Sequence, residues 1–87
     1  MEYELDDKDD GLQDAENDLE MLREDLIGEL QAINQYQQHV DSLESEEAAA
    51  VLEHIIAEEK EHVAELLKLI SILDPVQAEK LSKQVWY

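Results

Sequence analysis

The sequence predicts an all-α protein, and three observations carry that prediction. The 87 residues hold Gly 2, Pro 1 and Cys 0. What fills the chain instead is Ala, Leu, Glu, Gln and Lys, the residues that lose least in a helix. Apolar residues recur at steps of three and four over two long stretches, the period of a helix face rather than of a strand. A polar break at 41–47, reading DSLESEE, separates the two stretches, and an Asp-Pro pair at 74–75 closes the second. Together these features predict an antiparallel two-helix hairpin followed by a short C-terminal helix.

Residues 1–10 carry six acids, one lysine and little that could be buried. Residues 1–11 are therefore expected to form a flexible acidic arm, and residues 12–87 the helical domain. The first helix is expected from Leu12 to about Leu43, with Leu12, Ala15, Leu19, Leu22, Leu26, Ile33 and Val40 on one stripe that Ile27 and Leu30 widen. Ser45 is the expected N-cap of the second helix, with Glu46 and Glu47 complementing its positive end. That helix is expected over Glu46 to Leu73, with a seam at Leu52, Ile55, Glu59, His62, Leu66 and Leu69. Asp74 caps a third helix that starts at Pro75 and runs to about Gln84, with Ala78, Leu81 and Val85 on one side.

Two helices of this length leave half of each apolar stripe uncovered, and a domain this small is marginal by itself. A second copy of the chain is the simplest cover. Two hairpins then make a four-helix bundle.

Composition excludes several classes. Without cysteine there is no disulfide scaffold and no thiolate metal site. No apolar run approaches the ~20 residues that span a bilayer, and the acidic start is unlike a signal peptide. A soluble intracellular protein is expected. Asp+Glu number 24 against Lys+Arg 6, for a net charge of -18. Such a surface repels nucleic acid and anionic lipid, so neither is an expected partner. Two readings of the charge stand side by side: a solubility or high-salt device, and a funnel for metal ions.

The second seam raises the chemical question, because Glu59 and His62 occupy places where apolar residues belong. Glu-x-x-His spacing puts both side chains on one helix face, a turn apart. Glu29 lies on the first stripe, three residues after Leu26 and four before Ile33. One chain thus offers two carboxylates and an imidazole. Two chains offer four Glu and two His, the ligand inventory of di-iron carboxylate bundles. Four carboxylates balance two divalent cations, and oxygen donors with imidazole suit iron or manganese. No Lys or Arg lies on either seam to neutralise the acids.

The segments LIGELQAINQY and EEKEHVAELLKLISILDP resemble the encapsulated ferritins, the half-ferritins that sit inside encapsulin protein shells. The resemblance covers about Leu22 to Pro75 and extends into the third helix. Glu29, Tyr36, Glu59 and His62 fall on the family's pattern. It implies a ferritin-like four-helix bundle made by two subunits and an annular decamer of five dimers. It also implies a ferroxidase whose two irons are held by Glu29, Glu59 and His62 of both chains. It further implies a cytoplasmic location inside an encapsulin nanocompartment, with the shell protein as partner and the shell as the store for ferric iron.

Tyr36 has two readings: a donor to a ligand carboxylate or redox neighbour of the irons, and an ordinary aromatic on a dimer seam. His54, Glu58 and Glu61 form a ridge on another face of the second helix. They read either as a solvated charged ridge or, by the resemblance, as a peripheral metal site. Gly28, Gln31 and Gln35 stand where family members often carry further acids and an aromatic. Two other functions compete with the ferroxidase. One is an acidic helical interaction module whose Glu59 and His62 bind only each other. The other is a metal buffer that holds iron or zinc without turning it over. Glu29 argues against the first, since an interaction module has no reason to place it on the stripe.

Overall fold

A computed structural model of the chain describes the backbone of residues 3–84 and the side chains of residues 13–84. It contains three helices in order, α1 (Tyr3–Ser42), α2 (Glu46–Leu73) and α3 (Pro75–Ser82), and no strand among the described residues. The all-helical hairpin with a short third helix is therefore the fold.

The helix ends form where the sequence supplies capping groups. The amide of Leu43 donates to the carbonyl of His39 at 2.8 Å and finishes α1. Ser45 Oγ accepts from the amide of Ala48 at 3.1 Å, satisfying one of the free donors at the start of α2. Asp74 serves two helices at once. Its amide donates to the carbonyl of Ile70 at 2.8 Å, and its Oδ1 accepts from the amide of Gln77 at 3.1 Å. Pro75 follows at the first helical position, where a missing N–H costs nothing.

Two boundaries differ from expectation. Helix α1 begins at Tyr3, nine residues before Leu12, so the backbone of residues 3–11 is helical where a flexible arm was expected. The physical reason lies in the backbone: no proline interrupts the run, so every amide of residues 3–11 can enter the helical pattern. Helix α3 ends at Ser82 rather than Gln84, with Lys83 as its cap. The side chain of Leu12, and Val85, Trp86 and Tyr87, lie outside the described residues.

The helices form one thin layer, with principal extents of 64 × 35 × 14 Å. Helix α1 packs along α2, and α3 packs back on α2 alone. The predicted stripe of α1 is half-buried, with Ala15, Leu19, Leu22, Leu26, Glu29, Ile33, Tyr36 and Val40 turned to α2. Ile27 and Leu30, expected to widen it, are exposed because they lie off the contact line with α2. The seam of α2 is rotated from the predicted one. The buried residues are Ile56 (5% exposed) and Ile70 (3%), and the face toward α1 runs Leu52, Ile56, Glu59, Val63, Leu66, Ile70. Ile55 is only half-buried, and His62 and Leu69 are exposed. A residue's shift along a helix turns the direction by about 100°, so Ile55, His62 and Leu69 form a flank beside the seam. The spacing alone allowed either set.

Removing a buried side chain should expose this thin core. Ile70→Ala is expected to lower stability by about 2–4 kcal/mol and Ser45→Ala by about 1 kcal/mol. Val76→Ala, at an exposed apolar position, should stay within about 0.5 kcal/mol of the parent. Urea unfolding followed by circular dichroism checks all three.

Candidate metal centre

Glu29 from the middle of α1 meets Glu59 and His62 from the middle of α2. One ligand atom from each lies within 4.8 Å of the others. His62 Nδ1 is 3.3 Å from Glu29 Oε1 and 3.4 Å from Glu59 Oε1. The arrangement follows from the two seams. Glu29 and Glu59 sit in the interhelix contact, and His62, one turn after Glu59, leans in from the flank. Side-chain exposure is 25% for Glu29, 16% for Glu59 and 48% for His62, so the cluster opens to one face of the layer.

The electrostatics of the cluster are unsatisfied. The carboxyl of Glu59 is held above its ordinary value. The first cause is a hydrogen bond with Glu29 that favours the protonated form, followed by partial desolvation and the charge of Glu29. His62 pulls in the opposite direction. A divalent cation between the two carboxylates would relieve their repulsion. The donor set of two carboxylates and an imidazole therefore fits a metal such as iron, manganese or zinc.

A cleft of about 500 Å³ runs beside the cluster, lined by Glu24, Asp25, Gly28, Glu29, His62, Glu65, Leu66 and Leu69. A methyl group placed on Gly28 would meet nothing within 4 Å, so this side of Glu29 is open. Asp25 also lines a second cleft of about 320 Å³ with Asp18, Met21, Leu22 and Leu73. The two clefts make a continuous face. Exposed Met21, Leu69 and Leu73 lie along it, and Val51 falls on the same side of α2 as His62 by helical spacing.

Other candidates stand apart. Tyr36 is half-buried two turns beyond Glu29, and among the described residues its hydroxyl makes no side-chain hydrogen bond. His54 Nε2 lies 3.5 Å from Glu58 Oε2 on the exposed far side of α2. Glu61 does not complete a three-ligand group with them among the described residues. His39 is exposed near the end of α1. The sequence reading overlooked the cleft acids Asp25 and Glu65, although their spacing was available: Asp25 is four residues before Glu29, and Glu65 three after His62.

The fold is a helical hairpin with an open face that carries a carboxylate–histidine cluster at mid-length. The chain belongs to the EncFtn-like family, whose pattern matches residues 4–87. It is 42% identical over 64 residues to encapsulin nanocompartment cargo protein EncC of Myxococcus xanthus (strain DK1622), covering 74% of this chain and 49% of that one. It is 34% identical over 67 residues to cargo protein EncB of the same organism, covering 77% and 42%. A ferritin-like-encapsulin shell fusion protein of Pyrococcus furiosus (strain ATCC 43587 / DSM 3638 / JCM 8422 / Vc1) is 41% identical over 63 residues, covering 72% and 18%. The chain thus spans about half or less of the length of these relatives. No solved structure matches the chain closely. No helix among the described residues is long and apolar enough to cross a membrane.

The raised Glu59 carboxyl fixes the sign of a pH effect. A proton held more tightly in the folded state contributes stability below the ordinary carboxylate value and loses it as pH rises through the raised one. Metal-free protein should therefore melt at a lower temperature as pH rises through that window. The expected result is a shallower slope in Glu59→Gln, whose amide can still hydrogen-bond Glu29. Thermal melts with chelator present, at fixed salt, measure the difference.

Proposed function

We propose that the chain is a ferroxidase subunit whose centre is completed when two copies pair through the open face. The observation that carries this reading is the Glu29–Glu59–His62 cluster, which gathers three ligands and leaves its outer side uncovered. Pairing places four carboxylates and two imidazoles at one interface and covers Met21, Leu69, Leu73 and Val51 together with it. Four negative charges offset two Fe(II) ions, which are the substrate. Each Fe(II) gives one electron to dioxygen or peroxide. The two Fe(III) ions then exceed the carboxylate charge by two, which favours their departure as hydrolysed product.

The ligand roles follow from position. Glu29 and Glu59 supply the charge that holds the ions, and His62, the most exposed of the three, supplies the neutral donor nearest the second copy. In this reading Tyr36, two turns from Glu29 on the same stripe, would donate to a ligand carboxylate once the interface closes. His54 and Glu58, with Glu61 nearby, attract cations from the far side without entering the centre. A layer 14 Å thick encloses no mineral cavity, so the product needs a separate store. The likeness to encapsulin cargo proteins supports an encapsulin shell as that store and its shell protein as partner. A ring of five dimers is the assembly expected inside it.

Aerobic addition of Fe(II), with the ferric absorbance counted per chain, tests the reading. Rapid turnover beyond the bound ions indicates catalysis; uptake that stops at the bound ions indicates a buffer and overturns the proposal. Glu29→Ala, Glu59→Ala or His62→Ala should slow oxidation by more than about tenfold, whereas His54→Ala should leave the rate nearly unchanged. Light scattering should show the assembly growing with added divalent metal at fixed salt and shrinking with chelator. Residues 1–25 hold 12 of the 24 acids. Deleting residues 1–10 should slow the initial rate at low salt and limiting iron only, since that attraction fades within a Debye length of ~8 Å.

A further inference from the structure

Among the described residues, polar contacts cross from α1 to the α2–α3 part of the chain at two places. One is the cluster, where Glu29 meets Glu59 and His62. The other is Arg23 Nη2 to Asp74 Oδ2 at 3.0 Å. Arg23 is the sole arginine, in a chain with 24 acids. Its own helix offers Glu20 three residues back, yet its guanidinium reaches Asp74, 51 positions away. Asp74 is a fixed anchor, because its other oxygen is held by the amide of Gln77.

We propose that Arg23 is a positioning residue for the metal centre, which locks α1 in the rotation and register that bring Glu29 to Glu59 and His62. The inference rests on the metal-centre reading above. Its physical basis is that little else fixes this register. Among the described residues only Ile56 and Ile70 are buried, and a stripe of Leu and Ile tolerates small rotations and slides at low cost. The cluster holds it only weakly, since two like-charged carboxylates meet there and His62 is half exposed. The three-residue loop ties the hairpin at one end. The Arg23–Asp74 pair ties it on the opposite side of the cluster. Arg23 and Glu29 are six residues apart, which is about 9 Å along α1 and about 120° around it. A helix gripped at two points separated in both senses can neither turn nor slide freely.

The test uses the full chain and zinc as the probe, so that oxidation is not the readout. Arg23→Ala and Asp74→Asn each remove the pair, and Asn keeps the cap on α3. Each is expected to bind Zn(II) three- to tenfold more weakly by calorimetry, with no further loss in the double variant. Arg23→Lys should recover part of the affinity. Ser45→Ala, a cap variant that lowers stability away from the centre, should bind zinc as the parent does, which separates positioning from general destabilisation. A second readout needs no metal. The chain has no cysteine, so spin labels at Glu16→Cys and Lys68→Cys report the α1–α2 distance. The distribution should broaden in Arg23→Ala and Asp74→Asn. Unchanged distances and unchanged zinc affinity in both variants would overturn the latch. A parent that takes up no zinc would overturn the metal-centre reading instead, and the label distances alone would then judge the latch.

Discussion

The contact between the Glu29 and Glu59 carboxylates is the constraint around which the rest of the hairpin is arranged. Both lie in the seam where α1 and α2 meet, in positions that leucine would fill to better effect for stability alone. A hydrogen bond with Glu29 raises the Glu59 carboxyl, and partial desolvation and the charge of Glu29 add to it. The pair also interrupts the apolar stripe at mid-length, with Leu26 and Ile33 on one helix and Ile56 and Val63 on the other flanking the gap. Charge in a seam is tolerated only when something neutralises it. The near neighbour available within the chain is His62, which is half in solvent. The hairpin thus carries like charge at its centre, and under the proposed function a divalent cation would offset it.

The thinness of the fold serves the same end. A thicker single-chain bundle would surround Glu29 and Glu59 with two more helices and would have to supply the remaining ligands from different sequence. A single layer exposes the cluster, the cleft beside Gly28 and the apolar side chains that flank them on one continuous face. The cost is a small core, with two isoleucines buried among the described residues. Caps and ties carry more of the burden than they would in a larger domain. Ser45 fixes the start of α2, and Asp74 joins the end of α2, the start of α3 and Arg23 of α1 in one residue.

The acidic surface is compatible with this design because of where the neutral residues lie. Residues 30–40, from Leu30 to Val40, contain no charged side chain, whereas residues 1–25 hold half of all the acids. The part of α1 between the cluster and the hairpin loop can approach another surface without like-charge repulsion. The opposite part, leading away from the cluster, keeps a high negative potential that concentrates cations.

Much of this was legible in the sequence. The helix count, the break at 41–47, the Ser45 and Asp74 caps and the buried stripe of α1 follow from local chemistry: capping oxygens, proline geometry and a period of three and four. The gathering of Glu29 with Glu59 and His62 was legible too, because a charged residue on an apolar stripe has few reasons to be there. What the sequence could not decide was rotation. The apolar set of α2 is wide enough to place either Ile55, His62 and Leu69 or Ile56, Val63 and Ile70 against α1, and local spacing weighs them equally. Tertiary contact with α1 chose the second set, since Ile56 and Ile70 fill the seam while His62 must stay on the flank to reach both carboxylates. The Arg23–Asp74 pair was hidden for the same reason: 51 residues separate its partners, and only the packing of one helix on the other brings them together.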